Sequence, residues 1–337
     1  MYAITIDGQQ EGFPCGGGDS LLRAGLRAGR GLPYECSTGS CGTCKFELLE
    51  GETENLWPGA PGLTERDKRK DRRLACQNRP LSDCRIKMRL DPAAVPPVAP
   101  RRQMVRLVES RALTHDMHEF HFAGDNAAEF LAGQYALFVL PGVTGLRAFS
   151  MANLANSSGN WIFHIKNMPG GAGSHALFDG VVTPDREIEL DGPYGLAYLR
   201  ESPRDIVCVA GGSGLSPMIS IARGVAEDVR FNARRLHFFY GGRQPRDICG
   251  EEILRALPAF AERMSYHASI SEPSVRPEDW SGHRGFVHEL VAETLAGALS
   301  EYEFYFAGPP VMVEAVQRML MIDHKVPFDQ LHFDRFF

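Results

Sequence analysis

The chain has no apolar run of roughly 18 residues, the length a membrane-spanning helix needs, so a helical membrane anchor is not expected. It also lacks a secretory start: MYAITIDGQQ sets Tyr2, Ile4 and Ile6 on one face of a strand and has no charged block followed by an apolar one. A reducing cytoplasm is the expected location, where disulfides between its 8 cysteines are not expected. Charge of one sign is lacking as well. With 36 Lys and Arg against 42 Asp and Glu, the chain carries a net charge of -6 and no basic stripe, so nucleic acid is not an expected partner. The local runs Glu47 to Glu54 and Arg66 to Arg73 read as solvated faces. No internal repeat is evident, no pair of histidines has metal-ligand spacing, and no nucleophile elbow supports a Ser–His–Asp hydrolase. His115, His118, His121 and His164 read as structural residues on strands.

What is present is a globular composition, 44% hydrophobic and 23% charged, with a mean hydropathy of -0.21. At 337 residues the chain is expected to divide into two or three domains. The proline-rich stretch DPAAVPPVAP has neither strand nor helix period and reads as a semi-rigid linker. The boundaries expected are 1–91 for a small mixed α+β domain, 92–100 for the linker, 101–202 for an antiparallel barrel or sandwich, and 203–337 for an α/β domain. In the first, Asp19 or Ser20 caps a short helix carrying Leu21, Leu22 and Leu26. The second is a series of short alternating strands such as MHEFHF, GQYALFVLP, NWIFHIK and REIEL. The third alternates apolar strands with helices, beginning DIVCVAGG and PMISIARGVAEDV, the pattern of a parallel sheet covered on both faces.

The informative cysteines are Cys36, Cys41 and Cys44, separated by four and two residues in CSTGSCGTC, with Cys76 downstream. A loop trio plus one distant thiolate is plant-type [2Fe-2S] spacing. A zinc ribbon, the alternative, normally shows two close pairs, and one is close here. The small residues between the ligands let the chain wrap closely and let backbone N–H groups reach the sulfurs. Cys15, Cys84, Cys208 and Cys249 fit no ligand spacing and read as small core or surface residues. In motif and length this first domain resembles the plant-type ferredoxins, which implies a β-grasp fold and a one-electron, low-potential cluster.

Two further sites depend on order as much as on residue type. RAFS at 147–150, followed by the glycine-rich KNMPGGAGS, resembles the flavin domain of the ferredoxin reductase family, whose motif is Arg-x-Tyr-Ser and then a Gly-Gly-x-x-Ser loop. That resemblance implies FAD, with Arg147 on its pyrophosphate, Phe149 and Ser150 against the isoalloxazine, and Gly171, Gly173 and Ser174 forming the loop. Phe149 stands where the family usually has Tyr, so a hydroxyl contact is lost. GGSGLSP, with Gly211, Gly212 and Gly214, leaves a strand and opens a helix, where a dinucleotide pyrophosphate sits. YGGR, with Tyr240 and Gly241, and AGPP, with Ala307, Gly308 and Pro309, resemble the two family motifs that border ribose and nicotinamide. Ala307 replaces a common Cys. NADH is favoured over NADPH, because no clear basic cluster follows the second strand; Arg243 and Arg246 keep NADPH open, and Asp247 argues mildly against a 2′-phosphate. In related reductases a C-terminal aromatic covers the flavin, which implies that role for Phe336 or Phe337.

The resemblance spans the chain and implies a multidomain α+β and α/β protein: a β-grasp [2Fe-2S] ferredoxin domain, an antiparallel β-barrel FAD domain and a Rossmann-like parallel-sheet NAD domain. Its implied activity is that of an NADH:ferredoxin-type oxidoreductase, taking a hydride from NADH to FAD and passing single electrons through the cluster. NLWPGAPGL, LACQ and KVPFDQLHFDRFF are similar to the reductase components of bacterial multicomponent toluene and benzene monooxygenases. The implied partner is a Rieske-type ferredoxin or a di-iron hydroxylase, docking on the exposed side of the cysteine loop near Glu35 and Glu47. The reductase of a Rieske aromatic-ring dioxygenase is the rival expectation, and a redox sensor without turnover is the alternative from another class.

Overall fold

The computed structural model describes residues 1–334 apart from Asp185, Ala259 and Ala298. The chain begins with β1 (Tyr2–Ile6), β2 (Phe13–Cys15), α1 (Leu21–Arg27), β3 (Lys45–Glu50), β4 (Thr53–Asn55), α2 (Glu65–Arg69), β5 (Arg72–Leu74), β6 (Asn78–Pro80) and β7 (Cys84–Lys87). The alternation at the start puts Ile4 and Ile6 into the core, and β1 runs parallel to β7 in a sheet ordered β2-β1-β7-β3-β5. Ser20 starts α1 by accepting the Arg23 N–H at 3.3 Å, and the helix buries Leu21, Leu22 and Leu26. The cysteine loop is the irregular stretch between α1 and β3. The proline-rich segment is more anchored than its composition suggests: Asp91 N–H bonds the Gly31 carbonyl, Asp91 caps a short turn, and Ala94 is fully buried in the first core.

The second unit contains β8 (Arg101–Ala112), β9 (Met117–Gly124), β10 (Tyr135–Val139), β11 (Arg147–Ser150), β12 (Asn160–Lys166), α3 (Ala172–Phe178) and β13 (Glu187–Tyr194). All neighbours in the sheet β11-β10-β13-β8-β9-β12 are antiparallel, and a bridge between Met151 and Phe163 brings its two ends together into a nearly closed barrel. Aromatic rings of Phe122, Phe138 and Phe163 fill it, with centroids 5.0–5.9 Å apart. His118, His121 and His164 lie on strands as expected, but His115 sits in the turn between β8 and β9, because the β8 pairing with β9 ends at Ala112 and His118.

The third unit is β14 (Asp205–Gly211), α4 (Leu215–Glu227), β15 (Leu236–Gly242), α5 (Glu251–Arg255), α6 (Phe260–Arg263), β16 (Met264–Ile270), β17 (His283–Arg284), α7 (Val287–Thr294), β18 (Tyr302–Ala307), α8 (Pro310–Arg318) and β19 (Leu331–His332). Its strands are all parallel in the order β17-β16-β15-β14-β18-β19. After Asp205, β14 is apolar because both faces are covered: Ile206, Cys208 and Ala210 join the core under α4, while Val207 and Val209 join that under α7 and α8. No helix among the described residues is long and apolar enough to cross a membrane.

Polar joints hold the units together. On the barrel, the Asp191 carboxylate is 1% exposed, bonds Arg27 at 2.6 Å from the first unit, and lies 3.6 Å from Arg23 and 3.5 Å from Arg102. Asp19 completes the network with Arg27 at 2.7 Å and Arg102 at 2.8 Å, and the Tyr194 hydroxyl donates to Asp191 at 2.8 Å. On the other side, α4 grips the barrel through Ser216, Ser220 and Arg223, which donate to the carbonyls of Ser150, Asn153 and Ala152. Asp191→Ala leaves three guanidinium groups facing one another around a vacated site. We expect it to lower the unfolding free energy by about 3 kcal/mol in urea titrations, with Arg27→Ala costing less because that side chain is 22% exposed.

Candidate functional site

The four predicted cysteines converge, and they do so as two pairs. Cys41 N–H points at Cys36 Sγ at 3.3 Å, and Thr43 N–H at Cys41 Sγ at 3.5 Å. Within the pairs Cys36–Cys41 and Cys44–Cys76, one thiol donates to the other, which pulls Cys36 and Cys44 below the ordinary thiol range and pushes Cys41 and Cys76 above it. Among the described residues, no three of these sulfurs lie mutually within 4.8 Å. One zinc ion needs four ligands about 2.3 Å from a single centre. Two pairs suit two irons instead, and the amides aimed at cysteine sulfur suit thiolates that would ligate a cluster. The loop can wrap this tightly because Gly39 and Gly42 have φ of +101° and +78°. Its flank is closed by 57–63, where Gly62 N–H bonds the Gly39 carbonyl at 3.0 Å.

The flavin motif occupies β11, at the open edge of the barrel sheet. Register sets Ser150 opposite Tyr135, Phe149 opposite Ala136 and Arg147 opposite Phe138. Phe149 packs on Phe138 with centroids 5.5 Å apart. Arg147 lies across Gly173, where a β-carbon would stand 2.8 Å from its Cγ, so the guanidinium stem and the glycine loop form one cradle. That shape and the Arg charge fit a pyrophosphate. Ser174 is partly committed already: its hydroxyl donates to the Gly171 carbonyl at 2.9 Å and accepts the Met168 N–H at 3.0 Å, so it shapes the loop.

The glycines of the third unit meet at the carboxyl edge of the parallel sheet. Gly211 pairs with Gly241, and Ala210 with Ala307. β14 is the first strand of the unit, with β15 to one side and β18 to the other, so the chain reverses its direction of travel across the sheet there. Ligands bind outside the strand ends at such a switch point. A β-carbon on Gly214 would collide with the Ala307 carbonyl, which explains why glycine is needed where the α4 turn approaches β18. The Tyr240 hydroxyl lies 3.4 Å from the Gly212 carbonyl. Phe336 and Phe337 lie outside the described residues. Phe333 stacks on Phe306 at 4.6 Å, and burial next to Glu35 pushes the Asp334 carboxyl up to about 7, beside the cysteine loop.

One polar cluster escaped the sequence analysis. Glu119, 1% exposed, accepts from His164 at 2.9 Å and from His121 at 2.7 Å, and Arg111 lies 2.8 Å away. The His164 backbone N–H donates to Ser216 Oγ, which donates to the Ser150 carbonyl, so the cluster supports the joint between barrel, flavin strand and α4. Only the isolated histidines were visible in sequence; their shared carboxylate was not. A second group, His115, Asp116 and Asp247, has metal-like spacing, but Lys166 neutralises Asp116 at 3.0 Å and Asp247 accepts the N–H groups of Arg243 and Gln244. Burial alone would raise the Glu119 carboxyl; hydrogen bonds from His164 and His121 outweigh it and hold the group well below the usual carboxylate range. A depressed carboxylate stabilises the fold above its unfolded pKa and loses that contribution as pH falls. Glu119→Gln is therefore expected to cost about 2 kcal/mol near pH 7, with the gap to the parent narrowing below about pH 4, as followed by urea unfolding across pH.

Comparison with known proteins agrees with this layout. Residues 4–81 match the 2Fe-2S iron-sulfur cluster binding domain, 104–198 the oxidoreductase FAD-binding domain and 208–318 the oxidoreductase NAD-binding domain. The chain is 43% identical to the ferredoxin–NAD(P)+ reductase CarAd of Metapseudomonas resinovorans, covering 100% of both. It is 37% identical to the ferredoxin–NAD+ reductase component of the alkene monooxygenase system of Xanthobacter autotrophicus, covering 96% of this chain and 97% of that one. Among solved structures, the ferredoxin reductase in carbazole 1,9a-dioxygenase superposes with a TM-score of 0.89 at 39% identity, over 100% of this chain and 98% of that one. The protein is an oxidoreductase whose domains are those for FAD, a nicotinamide dinucleotide and a [2Fe-2S] cluster, and it belongs to the ferredoxin–NAD(P)+ reductase family that joins all three in one chain.

Proposed function

We propose that this protein is the NADH-linked reductase of a bacterial aromatic hydrocarbon monooxygenase system, delivering electrons to a Rieske-type ferredoxin or directly to a di-iron hydroxylase. The observation that carries the reading is the meeting of three sites across two joints: the cysteine loop on the barrel and the glycine edge of the parallel sheet beside β11. When bound, FAD accepts one hydride, two electrons together, and releases them singly, and a [2Fe-2S] cluster carries one at a time. Cys36, Cys41, Cys44 and Cys76 would hold the cluster as two pairs, with the N–H groups of Cys41 and Thr43 placed to tune the sulfurs. Arg147 and the loop of Gly171, Gly173 and Ser174 bind the FAD pyrophosphate, while Phe149 and Ser150 orient the isoalloxazine. Gly211, Gly212 and Gly214 take the NADH pyrophosphate, Tyr240 and Gly241 its ribose, and Ala307, Gly308 and Pro309 its nicotinamide. Phe337 is the proposed ring cover.

The domain boundaries we assign are 1–91, 92–100, 101–202 and 203–337, and the compartment is the cytoplasm. NADH rather than NADPH is favoured because the Asp247 carboxylate sits in the Arg243–Arg246 turn and adds negative charge where a 2′-phosphate would approach. Likeness to the alkene monooxygenase reductase component supports the monooxygenase reading. A second reading, the reductase of a Rieske aromatic-ring dioxygenase, is carried by the likeness to the carbazole 1,9a-dioxygenase reductase.

Anaerobic NADH titration is expected to bleach the flavin absorbance and then raise the EPR signal of a reduced [2Fe-2S] centre; a bleached flavin with a silent cluster contradicts the electron path. For Cys76→Ser, the ratio of acceptor-protein reduction to ferricyanide reduction is expected to fall by about a hundredfold, since ferricyanide can draw directly on flavin. Coupled turnover with purified components separates the two readings, because support of a dioxygenase alone rejects the monooxygenase.

A further inference from the structure

Tyr135 opens β10, its backbone directly across from Ser150, and it is fully buried. Its backbone belongs to the barrel, but its side chain packs into the core of the first unit. Its hydroxyl bonds the Glu35 carbonyl and lies 2.8 Å from Ser37 Oγ, so a barrel residue grips the peptide on either side of Cys36. Ser37 has a φ of +56°, the left-handed region, although it carries a side chain, and it is 2% exposed. A non-glycine residue keeps such a conformation only where its surroundings enforce it.

The grip is built from both sides of the joint. The Tyr135 ring lies beside Tyr194 with centroids 6.1 Å apart, and a β-carbon at Gly195 would stand 3.0 Å from its Cδ1, so glycine there leaves room for the ring. Tyr34, two residues before Cys36, accepts the Gly195 N–H at 3.2 Å. Two tyrosines, one from each unit, thus cross the same boundary. Burial pushes the Tyr135 phenol well above the ordinary phenol range, which keeps its hydroxyl available as a donor.

We propose that Tyr135 is a positioning residue: its hydroxyl clamps the Glu35–Ser37 turn, with Ser37 in the left-handed conformation, so that Cys36 is presented, and it locks the cluster loop to β10, the neighbour of the strand carrying the flavin motif. This rests on the cluster reading above. Without the clamp, Ser37 relaxes toward negative φ, and Cys36 moves out of register with Cys41.

The test compares the full-length holoprotein with Tyr135→Phe, Ser37→Gly and the double variant, reading iron release to a chelator, the EPR g-values of the reduced cluster and the FAD content. Tyr135→Phe is expected to release iron roughly tenfold faster, the factor matching a net loss of about 1.4 kcal/mol of buried hydrogen bonding, and to shift the g-values. Ser37→Gly alone is expected to stay near the parent rate, and adding it to Tyr135→Phe is expected to restore slow release, because glycine holds a positive φ unaided. Unchanged iron release and g-values in Tyr135→Phe overturn the inference, as does failure of Ser37→Gly to rescue. Parallel loss of FAD marks a general loosening of the barrel and also overturns it. If Tyr135→Phe does not fold, Ser37→Ala takes its place: it removes the Ser37 hydroxyl that Tyr135 meets without supplying glycine's ease at positive φ, so parental iron release and g-values again overturn the inference. A parent protein without any [2Fe-2S] signal overturns the cluster reading itself, an outcome distinct from all of these.

Discussion

A carboxylate removed from water must be matched by positive charge and hydrogen bonds, or it costs several kcal/mol. Asp191 meets that demand with Arg27, Arg23, Arg102 and the Tyr194 hydroxyl, and these partners come from both the first unit and the barrel. The consequence is a joint with one geometry. Apolar surfaces tolerate sliding, whereas guanidinium–carboxylate pairs hold to a narrow range of distances and angles. The cysteine loop is thereby set against β10 and β11, close enough for Tyr34 and Tyr135 to hydrogen-bond across the boundary.

The second joint has a different character. There α4 donates three side-chain hydrogen bonds to backbone carbonyls just after the flavin strand, at Ser150, Ala152 and Asn153. Glu119 and His164 support it from inside the barrel wall. Because α4 also begins in the glycine turn at Gly211 to Gly214, the hold on β11 and the nicotinamide edge are two ends of one element. Electron transfer between cofactors depends on fixed distances, and both joints fix distances by directional bonds.

Much of the fold was legible in the sequence, for physical reasons. The alternation in β1, the continuous apolar run of β14 and the Ser20 cap reflect local rules of period and capping, which neighbours in sequence express by themselves. His115 departed from its expected strand because pairing of β8 with β9 stops short of it, and strand ends depend on the partner strand as well as on local pattern. The proline-rich segment was read as a spacer, yet it is seated on the first core through Ala94, because composition reports stiffness and not docking. Ser174 is placed in the flavin loop by its motif, and the structure adds that its hydroxyl closes that loop on the Gly171 carbonyl.

What the sequence determined by itself was chemistry and order: thiols at cluster spacing, an Arg and a glycine loop after barrel strands, glycine turns after parallel strands. Those signals are short-range, since a metal centre or a phosphate needs particular groups within a few residues. The tertiary structure alone decided which distant groups meet. The pairing of Arg27 with Asp191 spans 164 residues and that of Tyr135 with Ser37 spans 98. Neither has a period or a motif, because a buried ion pair or a lone phenol acquires its partner only when separate units pack, and that packing arranges the three sites as one path.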